Sequence, residues 1–166
     1  MNVSLRRQSQ VFADVTGLIE FLRAEGFEDV RLLCHDHRDI SFAASFEGID
    51  YVYTGDIYSY LAMLRSCKLS VTYRLHAAIP CLAFGVPTIK VSYDERALSL
   101  METIGFGEWN IDMVKSPDVV GAVADRYARL EDLKTVRGEA QVKWDRSYEV
   151  MSCAFRDFAT EVRQSS

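Results

Sequence analysis

The chain has 166 residues, 49% of them hydrophobic and 26% charged, and its 19 Lys and Arg against 24 Asp and Glu leave a net charge of −5. That length and mixture describe one globular domain with a core of its own, and exclude a disordered, collagenous or coiled-coil chain. The acidic balance, without a Lys/Arg-rich run, speaks against a dedicated nucleic-acid binder, whose affinity comes largely from cations set against phosphates.

Short β-type runs alternate with helix-period segments through most of the chain. Asn2 to Leu5 is the first strand candidate. Val15, Leu18, Ile19 and Leu22 then keep the spacing of an amphipathic helix, which Gly26 can close in the left-handed conformation. Val30 to Cys34 is the second strand, residues 38–47 a weaker helix and Tyr51 to Tyr53 the third strand. Ile57, Tyr60, Leu61 and Leu64 form a helical seam, Leu69, Val71 and Tyr73 alternate as a strand, and a short helix lies within residues 76–84. Thr88 to Val91 is a buried strand, and Ala97, Leu100, Met101 and Ile104 line a helix that Gly105 ends. Such alternation predicts an α/β fold with a parallel sheet flanked by helices.

After Trp109 the pattern reads as helix only. Ser116-Pro117-Asp118 is a start signal, with Ser116 as N-cap and Pro117 at the first helical position, ahead of a stripe of Val120, Val123, Ala124 and Tyr127. From Leu133 to about Val162 a further seam runs through Val136, Ala140, Trp144, Ser147, Met151, Phe155 and Phe158, with Gly138 its one weak point. Read as one helix it spans about 45 Å, which outreaches a domain of roughly 15 Å radius of gyration, so part of its apolar face is expected to serve something outside the domain. Trp109 and Trp144 read as packing residues. Cys34, Cys67, Cys81 and Cys153 form no CxxC pair and lie among apolar neighbours, so they read as buried thiols of a reducing compartment. The start, MNVSLRRQSQ, lacks the apolar stretch of a signal peptide, and no apolar run is long enough to span a bilayer, so a cytoplasmic location is expected.

No GxGxxG, GxxxxGK[ST], GxSxG or HExxH motif occurs, which weakens nicotinamide-dinucleotide, P-loop, α/β-hydrolase and zincin readings. A response regulator would place an acidic cluster after the first strand, where Arg6 and Arg7 stand instead. One segment stands out: Val71-Thr72-Tyr73-Arg74-Leu75-His76-Ala77-Ala78, a strand running into a helix. Ligands of open parallel sheets bind beyond the carboxyl ends of the strands, where helix N-termini point their N–H groups. There Arg74 could fork onto a carboxylate or phosphate, and His76 could move a proton near neutral pH. On a purely structural reading, Arg74 caps a carboxylate elsewhere and His76 is a satisfied interior histidine. Ser92-Tyr93-Asp94-Glu95-Arg96 follows the next strand, so Arg96, and Arg6 after the first strand, would share that rim; a solvated loop explains the same residues. Cys34-His35-Asp36-His37 offers two histidines two apart on extended chain, a metal-ligand spacing that a polar loop explains equally well and that lacks an obvious third ligand.

The stretch Tyr73 to Phe106, YRLHAAIPCLAFGVPTIKVSYDERALSLMETIGF, resembles the signature region of the polysaccharide pyruvyl transferases, in which a strand ends in Arg-Leu/Phe-His, a small-residue helix leads to Gly-Val-Pro, and a strand ends in Tyr-x-x-Lys. Weaker similarity covers the rest, including the opening Ser-Leu-Arg. The resemblance implies a single domain over residues 1–166, equivalent to the C-terminal Rossmann-like half of a two-domain enzyme of the glycosyltransferase-B type, with the N-terminal half absent. It implies transfer of a pyruvyl group from phosphoenolpyruvate to two hydroxyls of a sugar, as a cyclic ketal, on an exopolysaccharide or its lipid-linked precursor, with no metal or other cofactor.

By this similarity Arg74 would hold the donor, His76 would be the acid/base, Leu75 would shape the wall, and Tyr93, Arg96 and Arg6 would add donor contacts. Arg96 stands where the family has lysine. Pro80 lies in the helix beginning near His76 and removes the N–H that would bond the carbonyl of residue 76, so a late start or a kink is expected there. The absent half would come from a partner chain, a second copy or a longer parent. Two other readings share the architecture: a glycosyltransferase or sugar-nucleotide epimerase domain, and a non-catalytic partner subunit that docks through its long C-terminal helix.

Overall fold

The computed structural model describes residues 5–164, with side chains described from Ser9 to Arg163. Helix α1 (Leu5–Ala24) turns Leu18 and Ile19 inward. It closes as the sequence predicts: Gly26 has φ +87°, and the Phe27 and Gly26 N–H groups donate to the carbonyls of Leu22 and Arg23 at 3.1 and 3.0 Å, the bond pair that a left-handed glycine permits. The strand expected over Asn2 to Leu5 fails at Leu5, which is already helical, while residues 2–4 lie outside the described residues. Once a helix has nucleated, each added residue contributes a hydrogen bond, so α1 extends back past its apolar stripe. Arg6 therefore sits in the first turn of α1 and not at a strand end, and its side chain lies outside the described residues.

Strands β1 (Arg31–Cys34) and β2 (Asp50–Tyr53) pair in parallel, Arg31 opposite Asp50 and Cys34 opposite Tyr53. Between them the expected helix shrinks to a single 3-10 turn, His37–Asp39, and one α-turn, α2 (Ile40–Ala43). Helix α3 (Ile57–Ser66), capped by the Asp56 carboxylate, leads to a second parallel sheet of β3 (Ser70–Thr72), β4 (Thr88–Ser92) and β5 (Asn110–Asp112), with β4 central. Helix α4 (Leu75–Phe84) crosses from β3 to β4, and α5 (Glu95–Thr103) from β4 towards β5. The fold is α/β and Rossmann-like, with its strands divided between two small parallel sheets.

Strand β5 corrects the expectation of helix alone after Trp109. It has one apolar side chain, Ile111, and so no periodicity to betray it; it forms because the outer edge of β4 offers backbone groups that require partners. Every residue of β4 is buried, as befits the central strand of a sheet covered on both faces. Around it lies the main core of Leu18, Leu82, Ile89, Val91, Met101, Phe106, Trp109, Ile111, Val119, Val123, Leu133 and Ala140. A smaller cluster joins Tyr60 and Leu64 of α3 to Ala77 and Cys81 of α4.

Helix α6 (Val119–Tyr127) starts later than predicted. Its N-cap is Asp118, whose carboxylate accepts the Gly121 N–H at 2.8 Å, so Ser116 and Pro117 precede the helix. Helix α7 (Asp132–Gln164) is the long helix the seam predicts, unbroken at Gly138. Leu133 and Ala140 anchor it to the core, whereas Tyr148, Met151, Phe155, Phe158 and Val162 are exposed. Of the cysteines, all free, Cys34 and Cys81 are buried, but Cys67 and Cys153 are exposed, correcting the expectation of four buried thiols. Cys67 caps the end of α3, and Cys153 lies on α7 beyond the residues that reach the core. Among the described residues no helix is long and apolar enough to cross a membrane.

Candidate active site

The carboxyl end of β3 turns into α4 within two residues, and the turn is fixed from several sides. The Thr72 hydroxyl accepts the Arg74 N–H at 3.0 Å and donates to the Arg74 carbonyl at 3.3 Å. From β4, the Lys90 ammonium donates to the Tyr73 carbonyl at 3.2 Å, to the Val91 carbonyl at 2.5 Å and to the Ser92 hydroxyl at 3.2 Å. Ser92 in turn donates to Asn110 Oδ1 at 2.6 Å, so the carboxyl ends of β3 and β4 are tied to each other and to the start of β5. Lys90 is 1% exposed, and burial pulls its ammonium down to about 8.

Arg74 is the N-cap residue of α4, and no side chain caps that helix. The Arg74 carbonyl accepts from Ala77 and Ala78, which leaves the Leu75 and His76 N–H groups at the mouth of the helix without intrahelical acceptors. Arg74 Nη2 donates to Asp39 Oδ1. Asp39 is itself fixed, its other oxygen accepting the N–H groups of His35 at 3.2 Å and Asp36 at 3.1 Å. Arg74 Nε and Nη1 have no acceptor among the described residues. Arg74 thus does pair with a carboxylate, as its structural reading expects, yet keeps half of its fork.

His76 is exposed in the first turn of α4, not the interior histidine of that reading. Its ring stacks on that of His35, centroids 5.3 Å apart and planes at 8°. His35 Nδ1 lies 3.2 Å from the Tyr60 hydroxyl. Burial, and after it the charges of His76 and Arg74, holds His35 below the usual imidazole value, against the upward pull of Asp39 and Asp36. Burial pushes Tyr60 up to about 12. The ends of β1 and β3 thus meet through side chains, although the two sheets share no backbone ladder.

Pro80 does not delay α4, which begins at Leu75, immediately after its cap. Leu75 packs half-buried against the main core. Tyr93 is half-buried after β4, and its hydroxyl has no partner among the described residues. Arg96 is 93% exposed on its side chain, with Nε 3.9 Å from Asp94 Oδ1, and among the described residues no hydrogen bond or ion pair joins it to Arg74 or His76. The two histidines of the Cys34 to His37 loop diverge: His35 turns to Tyr60 and His76, while His37 is exposed with Nδ1 3.1 Å from Asp36 Oδ1. The Arg38 guanidinium beside Asp36 holds that carboxyl well below the usual carboxylate range.

Sequence reasoning missed Asp39, Tyr60 and Lys90. The only advance signal was for Lys90, a lone charge inside an otherwise uncharged strand, since a buried lysine needs a reason.

Residues 18–95 match the family model for polysaccharide pyruvyl transferase. That span holds Asp39, Tyr60, Arg74, His76 and Lys90, and stops one residue short of Arg96. The amylovoran biosynthesis protein AmsJ of Erwinia amylovora is 30% identical over 110 residues, covering 57% of this chain. The chain spans 26% of the length of that relative. No solved structure matches. Through residues 18–95, a little under half of its length, the chain is similar to the polysaccharide pyruvyl transferases.

Proposed function

We propose that this domain forms the donor-binding half of an enzyme that transfers a pyruvyl group from phosphoenolpyruvate to two hydroxyls of a saccharide in exopolysaccharide biosynthesis. The observation that carries the proposal is the Arg74/His76 pair at the mouth of α4: a guanidinium held by Asp39 with N–H groups to spare, two residues from an exposed imidazole. The family match over this segment and the role of AmsJ in amylovoran biosynthesis support it. Phosphoenolpyruvate carries a phosphate and a carboxylate, and the Arg74 fork together with the α4 N–H groups suits such an anion. His76, protonated, gives its proton to the methylene carbon, which becomes the methyl group. One sugar hydroxyl then adds at C2, phosphate departs with the C2–O bond pair, and the second hydroxyl closes the ketal. The two hydroxyl protons leave to phosphate and to His76, restoring the acid. Tyr93, Arg96 and Arg6 belong to the wider donor and acceptor surface in this scheme, and a second domain closes the site against water.

The test is thermal unfolding of the wild type and Arg74→Ala with millimolar phosphoenolpyruvate, uridine diphosphate or inorganic phosphate. A ligand at 100 times its Kd adds about 2.7 kcal/mol, a rise of several degrees for a domain of this size. The expected result is a shift with phosphoenolpyruvate that exceeds the phosphate shift and is lost in Arg74→Ala. A shift confined to uridine diphosphate would replace the proposal with a sugar-nucleotide enzyme.

A further inference from the structure

His76 lies on the exposed first turn of α4, and no hydrogen bond holds its ring nitrogens among the described residues. A ring so placed would ordinarily sample its rotamers freely, which is poor placement for a proton donor aimed at one carbon atom. What it does have is a parallel neighbour, His35, and that neighbour is itself supported. His35 leaves the end of β1, its backbone N–H is fixed on the Asp39 carboxylate, and its Nδ1 is within reach of the Tyr60 hydroxyl at 3.2 Å. Tyr60 is 6% exposed and belongs to the cluster that includes Ala77 and Cys81 of α4. The support therefore runs from a packed core, through a phenol and an imidazole, to the face of His76.

The protonation of the pair follows from the same surroundings. Tyr60 remains a phenol, since burial pushes its hydroxyl up to about 12. A phenol facing a neutral imidazole nitrogen donates to it, which makes His35 Nδ1 the acceptor and puts the ring proton on Nε2. Arg74 and His76, from the turn into α4, add positive charge on one side of His35; Asp36 and Asp39, from its own loop, oppose them; burial together with the two cations outweighs the carboxylates. Two stacked imidazolium rings would repel one another, so a neutral His35 is what lets His76 carry a proton beside it.

We propose that His35 is a positioning residue: braced by Tyr60, its neutral ring is the plate against which His76 is held as the single proton carrier of the site. The proposal rests on the reading of His76 as the acid of pyruvyl transfer, but its physical content belongs to the free chain.

The test is nitrogen-resolved NMR of the histidine side chains in the chain without ligand, for wild type, His35→Ala, His35→Phe and Tyr60→Phe. In the wild type, neutral His35 is expected to show an unprotonated Nδ1 and a protonated Nε2 and to take up a second proton at lower pH than an ordinary imidazole, with the His76 ring protons displaced upfield by the stacked ring. That displacement should vanish in His35→Ala and persist in His35→Phe, which keeps a plate but no titration. Tyr60→Phe, which retains shape and core packing, should release the His35 tautomer. A proton on His35 Nδ1 in the wild type, or His76 signals unmoved by His35→Ala, would overturn the proposal. None of these readouts involves phosphoenolpyruvate, so their failure is distinct from a failure of donor binding in the unfolding test.

Discussion

Asp39 is the residue on which the candidate site most depends and to which no sequence motif pointed, which makes it the sharpest place to perturb. One carboxylate oxygen meets Arg74, and the other accepts two backbone N–H groups, of His35 and Asp36. Asp39→Ala removes all three bonds. The carboxylate is 27% and the guanidinium 35% exposed, so water can replace part of what is lost. Taking about 1 kcal/mol for each bond after that compensation, below the roughly 1.5–3 kcal/mol of a bond to a charged group, gives a loss of about 3 kcal/mol. For a domain of this length that is a fall in Tm of roughly 6–12 °C.

Asp39→Asn keeps an acceptor oxygen and is expected to lose about 1 kcal/mol, and Arg74→Ala, which breaks only the ion pair, a similar amount. The assay is urea unfolding of the singles and of Asp39→Ala/Arg74→Ala, read as a double-mutant cycle with a coupling of about 1 kcal/mol expected. Additive losses within about 0.3 kcal/mol would refute the reasoning, since they would mean that the Asp39 carboxylate does not hold Arg74 in solution.

The other predictions concern the frame around the site. Lys90, drawn from 10.5 to about 8 by burial, binds fewer protons folded than unfolded between those values, so its contribution to stability rises with pH across that window, by about 3 kcal/mol at most. The buried thiols of Cys34 and Cys81, raised by burial, act in the opposite sense there, so the measurement is the difference between wild type and Lys90→Met: the stability of the wild type relative to the variant should rise from pH 7.5 to pH 10, and a constant difference would show Lys90 ordinary. Gly85 ends α4 with φ +78°, and a Cβ there would fall 2.3 Å from Arg137 Nη1 of α7. Gly85→Ala should therefore lose about 1–2 kcal/mol by chemical denaturation, mostly from the left-handed backbone because the arginine tip can move aside. Gly138, with nothing within 4 Å of its Cβ position, should gain up to about 1 kcal/mol as alanine, and the two changes should thus have opposite signs.

The α/β class, most helices and three of the long-range landmarks were legible in the chain because they rest on local rules. The stripe of Val15, Leu18, Ile19 and Leu22 with its closing glycine, the buried run at β4, and the long seam of α7 are written by side-chain periodicity and by the conformational freedom of one residue. Arg74 and His76 were legible too, since a cation and an imidazole where a strand becomes a helix mark a sheet's carboxyl edge wherever that sheet lies. Strand β5 was not, because a three-residue strand with one apolar side chain exists only by pairing with β4. Asp39, 35 residues before Arg74, was equally hidden: its carboxylate looked like one more polar atom in a loop until β1 and β3 came side by side.

The same holds for the histidines. Spacing alone grouped His35 with His37, because two residues two apart on extended chain point the same way. A 3-10 turn beginning at His37 breaks that geometry, and the fold pairs His35 instead with His76, 41 positions along the chain, through a ring stack that depends on where α3 and α4 set Tyr60 and the first turn of α4. Composition and periodicity determined most of the elements, β5 excepted, and where Arg74 and His76 fall; which ends face one another was decided by packing, since contacts between distant segments depend on how whole elements bury their apolar faces and on nothing a local window contains.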